Sequence, residues 1–148
     1  MTQRPTVLVV AAALVDGAGR VLLARRPAGK AMAGLWEFPG GKVEPGENPD
    51  AALARELAEE LAVTVDIAAL EPITFASHAY ETFHLLMPLY GCRRWSGVVA
   101  PREGQEIAWA TAAELTHYSM PPADGPLIPS LTAYLAAGGH LASARASS

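Results

Sequence analysis

Between Gly41 and Glu60 six carboxylates crowd a short stretch: Glu44, Glu47, Asp50, Glu56, Glu59 and Glu60, opposed only by Lys42 and Arg55. From Pro49 to about Ala62 the pattern is helical, with Leu53, Leu57 and Leu61 repeating at four-residue spacing among alanines. At about 100° per residue, Glu56, Glu59 and Glu60 share one side of that helix, and the leucines occupy an adjoining arc. Like charges that close repel. A solvated acidic face is one reading; a divalent cation that offsets the repulsion is the other. Oxygen-only ligands suit Mg²⁺ or Mn²⁺, which keep waters and bind phosphates. The preceding loop favours the cation, because Gly40-Gly41 lets backbone carbonyls come close to an ion held by the helix.

The elements that must position this helix follow from pattern. Thr6 to Val15 is an apolar run that reads as a buried strand rather than a targeting segment, being too short to cross a bilayer. The turn Asp16-Gly17-Ala18-Gly19 and the run Arg20 to Arg25 make it the first arm of a hairpin. Leu35 to Phe38 is a short stretch that Pro39-Gly40-Gly41 breaks. After the helix, Val63 to Ala69, Ile73 to Ser77, Thr82 to Cys92 and Gln105 to Ala110 read as strands, with Pro88 pointing to an edge or bulge. Thr111-Ala-Ala-Glu114 is a capping box, and a last helix runs to about Ala137. The order implies an α/β (α+β) fold with helices covering a mixed sheet.

Composition bounds the rest. A chain of 148 residues fits one domain, and 51% hydrophobic residues can fill its core. Eleven Lys and Arg against fifteen Asp and Glu give a net charge of -4, which argues against a nucleic-acid polymer as partner. The single Cys92 excludes a disulfide framework and reads as an inert core thiol; the cytoplasm is the default compartment. His78, His84, His117 and His140 have no metal-ligand spacing, and Arg93-Arg94-Trp95 reads as a strand end.

Gly41, five residues, Glu47, seven residues and then Arg55-Glu56-Leu57-Ala58-Glu59-Glu60-Leu61 resemble the Nudix box. One position departs: Ala62 stands where the family usually has Gly at the helix C-terminus. Arg25-Arg26, Leu35 to Gly41, Glu103-Gly104-Gln105 and Pro121 to Asp124 extend the resemblance to MutT-type proteins over about residues 6–135. It implies a Nudix α/β/α sandwich with a mixed central sheet over residues 1–137; the small, polar residues 138–148 read as a mobile tail. It implies hydrolysis of nucleoside triphosphates such as 8-oxo-dGTP to the monophosphate and pyrophosphate, by attack on the β-phosphorus.

The roles implied by the resemblance fall on named positions. Glu56, Glu59, Glu60, Glu103 and the Gly40 carbonyl are metal ligands, and Glu47 with Arg55 braces loop against helix. Glu56 is the candidate general base, with Glu103 its rival. Glu44 is either a water-mediated metal contact or plain surface. Arg26, Phe38 and Asp124 are placed for the base, although Phe38 also suits the core and Asp124 a helix N-cap; Tyr80 and His78 could line the pocket mouth. An ionised Asp124 only accepts hydrogen bonds, which suits an 8-oxoguanine N7–H and a cytosine amine alike. Two alternatives stay open: a CTP or modified-dCTP pyrophosphohydrolase, and a non-catalytic nucleotide-binding module. The intact carboxylate set speaks against the second. No membrane is implied, and monomer and homodimer are left undecided.

Overall fold

The computed structural model describes the backbone of residues 3–147 and the side chains of residues 3–138. Its centre is β1 (Thr6–Leu14), buried on both faces because alternate residues serve opposite cores. Val10, Ala12 and Leu14 pack with Leu53, Leu57 and Leu61 of the helix α1 (Pro49–Leu61). Ala11 and Ala13 pack on the other side with Leu115, Leu127 and Leu131, the last from the helix α2 (Ile128–Ser147). A strand buried on both faces reads as an unbroken apolar run, which explains the Thr6 to Val15 segment. No helix among the described residues is long and apolar enough to cross a membrane.

The further strands are β2 (Val21–Arg25), β3 (Trp36–Glu37), β4 (Gly40–Lys42), β5 (Glu71–Ala79), β6 (His84–Cys92) and β7 (Glu106–Ala110). They form a four-stranded mixed sheet, β4-β1-β6-β5, and a three-stranded antiparallel sheet, β3-β2-β7. In the first, β1 runs parallel to β6 and antiparallel to β4. The α/β/α arrangement with a mixed sheet is therefore present, and the second sheet stands beside it.

Four expectations change. The first two strands do not stay paired as one hairpin: only the bridge Val15↔Val21 joins them, and β2 leaves for the second sheet. Gly40 and Gly41 do not break structure but lie in β4, opposite Ala11 and Val10. Glycine is needed at 40 because a Cβ there would overlap the Val10 backbone. Residues 63–69 form no strand; Thr64 makes one bridge to Ser96, and Ile67–Ala69 is a 3₁₀ turn capped by Asp66. Pro88 lies on no edge, since β6 is interior, although β5 carries an irregularity between Pro72 and Thr74 opposite this strand.

Other local features follow sequence chemistry. The Thr111–Glu114 box forms reciprocally: Thr111 N–H donates to Glu114 Oε1 at 2.9 Å and Glu114 N–H to Thr111 Oγ1 at 3.3 Å. Cys92 is fully buried, which raises its thiol pKa, and its Sγ donates to the Arg94 carbonyl at 3.1 Å. Arg93 lies over the Tyr134 ring and Trp95 stacks on Trp109, so that strand end is structural. The last helix, expected to end at about Ala137, continues as backbone to Ser147, where a mobile tail was expected; the side chain of His140 lies outside the described residues.

Candidate active site

The polar centre of the site is the Arg55 guanidinium. Its Nε and Nη2 donate to the two oxygens of Glu47 at 2.8 and 2.9 Å. Nη1 reaches Glu56 at 3.0 Å and Glu59 at 3.5 Å, and Nη2 also meets the Lys42 carbonyl at 3.3 Å. The loop after β4 is thereby fastened to α1. Part of the repulsion among the glutamates is offset by Arg55 itself rather than by a cation. The Arg55 hydrogen bonds, then the Glu44 amide, hold Glu47 down at about 2. Glu44 contributes its backbone N–H to Glu47 Oε1 at 2.9 Å.

Glu103 comes from far along the chain, and the end of α1 explains how. The last carbonyls of a helix lack partners within it. Here Ala100 N–H donates to the Leu61 carbonyl at 2.9 Å, Arg102 N–H to Glu60 at 2.9 Å and Gln105 Nε2 to Glu60 at 3.1 Å. Gln105 Oε1 accepts from Glu103 N–H at 2.8 Å, which fixes Glu103 beside Glu60. At the same terminus Ala62 takes a left-handed conformation, φ 63°, so the turn the family makes with glycine is made here with alanine.

Burial and like charge act together on the acidic side chains. Glu60 is pushed up to about 8, chiefly by burial and then by Glu56, Glu103 and Glu37, while the Gly40 backbone amide opposes the shift. Burial also raises Glu56, against the pull of Arg55 and with the help of Glu59 and Glu103. Among the described residues no three His, Cys, Asp or Glu side chains are already gathered into a metal-holding arrangement. Glu56, Glu60 and Glu103 nevertheless lie near enough to repel one another, and as oxygen-only donors they are of the type a hard dication takes.

Two pockets meet here. The smaller, of about 220 Å³, is lined by Gly40, Glu60, Glu103, Arg26, Lys30 and Glu37, among others. The larger, of about 500 Å³, carries Arg26, Glu37, Phe38, Gly40, Tyr80 and Asp124. Arg26, Glu37 and Gly40 line both. Arg26 Nε pairs with Glu37 at 2.9 Å, a carboxyl that burial pushes up and Arg26 pulls down. Phe38 is 3% and Asp124 5% exposed, and Phe38 N–H donates to Asp124 Oδ2 at 3.4 Å. Asp124 stands at the N-cap position of the 3₁₀ turn Gly125–Leu127, but its side chain makes no cap hydrogen bond. Burial, reinforced by Glu37, raises its carboxyl to about 7.

The structure thus brings Gly40, Glu60, Glu103 and Arg26 to one pocket, and Phe38 and Asp124 to its neighbour. Glu56 lies against Gly41 and Arg55 instead of lining either pocket, and Glu59 is the most solvent-exposed of the helix carboxylates that Arg55 meets. Sequence reasoning passed over Glu37 and Lys30 and left Tyr80 as a mere possibility. Tyr80 stacks on Phe83 at 5.0 Å in the larger cavity, and its hydroxyl accepts from Ala123 N–H at 3.4 Å. Trp36 and Phe38 pack with the same core, and the strand alternation that sets Glu37 on the opposite face was the signal available for it.

A two-sided sandwich with its acidic helix beside an apolar cavity defines a class, and comparison with known proteins gives it a name. Residues 10–130 match the NUDIX domain model, and the chain belongs to that family of hydrolases, which generally use divalent metal cations. It is 38% identical over 130 residues to a CTP pyrophosphohydrolase of Escherichia coli K12, covering 86% of this chain and 93% of that one. It is 36% identical over 113 residues to the 8-oxo-dGTP diphosphatase of the same strain, covering 75% and 84%. Among solved structures, the Escherichia coli ORF135 protein superposes with a TM-score of 0.78 at 35% identity, covering 90% of this chain and 94% of that one. A MutT from work on Aliivibrio salmonicida and Vibrio cholerae gives 0.74 at 30% identity, covering 86% and 98%.

Proposed function

We propose that this Nudix hydrolase cleaves nucleoside triphosphates, oxidised forms such as 8-oxo-dGTP included, to the monophosphate and pyrophosphate with Mg²⁺, so cleansing the nucleotide pool. The observation that carries the reading is the pair of joined pockets: an apolar cavity with an aromatic wall and Asp124, opening across Arg26, Glu37 and Gly40 onto an acidic pocket. A nucleotide has that shape, a flat base joined to a charged chain. Triphosphates are a cytoplasmic pool, and the reading places the enzyme with them.

Glu56, Glu59, Glu60, Glu103 and the Gly40 carbonyl would hold Mg²⁺, with Mn²⁺ as a possible substitute; the ion, when bound, neutralises phosphate charge and activates water for attack. The remaining work belongs to the chain. Glu56, whose carboxyl burial raises, takes the proton of the attacking water; Glu103 is the rival for that task. Water oxygen bonds to the β-phosphorus, the bond to the α-phosphate oxygen breaks, and monophosphate and pyrophosphate leave. Arg55 and Glu47 keep the loop and helix in register throughout.

A second reading keeps the chemistry and changes the base. The CTP pyrophosphohydrolase matches over more of the chain than the 8-oxo-dGTP diphosphatase does. An ionised Asp124 accepts from a cytosine amine as readily as from an 8-oxoguanine N7–H. Comparing kcat/KM for 8-oxo-dGTP, dGTP, CTP and 5-methyl-dCTP separates the two. A ratio near one across the panel removes the pool-cleansing role and leaves the hydrolase standing; absence of pyrophosphate from every substrate removes the hydrolase.

A further inference from the structure

The cations that line the acidic pocket are Arg25, Arg26 and Lys30. Two are already engaged. Arg26 pairs with Glu37 at 2.9 Å and gives Nη1 to the Ala31 carbonyl at 3.1 Å. Arg25 meets Glu106 at 3.4 Å and the Gly34 carbonyl at 3.3 Å. Lys30 has no side-chain hydrogen bond or ion pair among the described residues.

Backbone hydrogen bonds fix the loop that carries Lys30. Gly34 N–H donates to the Arg26 carbonyl and Arg26 N–H to the Leu35 carbonyl, both at 3.0 Å, closing the loop at its base. Lys30 N–H bonds the Pro27 carbonyl at 3.4 Å and Ala33 N–H the Lys30 carbonyl at 3.1 Å. The Arg26 contact to Ala31 adds a clasp next to Lys30 itself. Met32, two residues on, lines the larger cavity, so one loop touches both pockets while Lys30 lines only the acidic one.

We infer that Lys30 is a substrate-binding cation that contacts the polyphosphate chain, independently of the base. This rests on the nucleotide reading above. The carboxylates arrive from α1 and from the 100–105 loop; Lys30 arrives from the loop after β2. Phosphate oxygens left unmet by a dication at the carboxylates would meet an ammonium on a flexible stem with three donors and, among the described residues, no engaged partner. Placement on the phosphate side predicts a signature that a base contact would not give: the same loss for every triphosphate.

The test uses the full chain and its Lys30→Gln and Lys30→Arg variants. With Mg²⁺ present, Lys30→Gln raises KM about 5- to 10-fold for 8-oxo-dGTP and CTP alike, the scale of one lost charge-assisted hydrogen bond, with kcat within about twofold. Lys30→Arg restores most of the loss, and the dependence of KM on salt is shallower in Lys30→Gln. Direct titration with Mg²⁺-tripolyphosphate, which has no base, shows the same weakening. An unchanged KM and tripolyphosphate affinity, or a loss confined to one base, overturns the assignment. If the wild type hydrolyses no nucleotide yet binds tripolyphosphate through Lys30, the hydrolase reading falls and the cation site stands.

Discussion

A methyl group on Gly41 would overlap the Glu56 carboxylate: β4 and α1 approach so closely there that the backbone of one element forms the wall against which the glutamate of the other rests. Gly41→Ala is therefore expected to push Glu56 aside. Because the obstructed group is the end of a flexible side chain, the fold survives and the chemistry does not. Thermal unfolding should move by no more than a few degrees while kcat falls at least about tenfold, the cost of a misplaced proton acceptor.

Ala62 tests the opposite case, a backbone cost with no chemistry attached. An L-residue in the left-handed region costs about 1–2 kcal/mol, from which the extra chain entropy of glycine subtracts about 0.5–1 kcal/mol. Ala62→Gly should stabilise the protein by about 0.5–1 kcal/mol, read as a rise in Tm of about 1–4 °C, with kcat/KM unchanged.

Asp124 gives a pH dependence whose sign is fixed by its burial. Its carboxyl sits near 7 in the folded chain against an ordinary 3.8, so between those values the folded state binds more protons than the unfolded one. The stability it contributes is full below about pH 4 and is lost as pH rises through 7. Asp124→Asn removes that loss. Denaturant titrations at pH 5 and pH 8 should show the wild type losing at least about 1 kcal/mol more than the variant over this interval.

Glu47 is worth little as an isolated surface charge and much as the partner of Arg55. Replacing it with Gln leaves a single neutral acceptor where two charged oxygens met the guanidinium. Arg55 is then free to draw Glu56 and Glu59 toward itself, away from a cation. Glu47→Gln should lower kcat/KM about 10- to 100-fold and raise the Mg²⁺ concentration needed for half-maximal rate, the scale seen when the support of a metal ligand is removed.

What the sequence disclosed of all this depended on distance along the chain. The helix and its apolar arc were legible because they lie within one short segment and follow helical periodicity; the Glu47–Arg55 brace was implied by the resemblance to the Nudix box, since Glu47 lies ahead of the helix. The Thr111–Glu114 box, local like the helix, was legible too. The second sheet was not, since nothing local tells Val21 to Arg25 to leave β1 and pair with residues 106–110. Gly40 and Gly41 read as breakers because composition cannot distinguish a turn from a close approach to a neighbouring strand. The proximity of Glu60 and Glu103 rests on helix-end carbonyls taken up by a distant loop, a pairing no spacing rule encodes.

The account depends most on one carboxylate among the cluster, and a single comparison tests it. Pyrophosphate release from a nucleoside triphosphate with Mg²⁺ should be at least about 100-fold slower in Glu56→Gln than in the wild type, at equal Tm. A variant that releases pyrophosphate at the wild-type rate would contradict it.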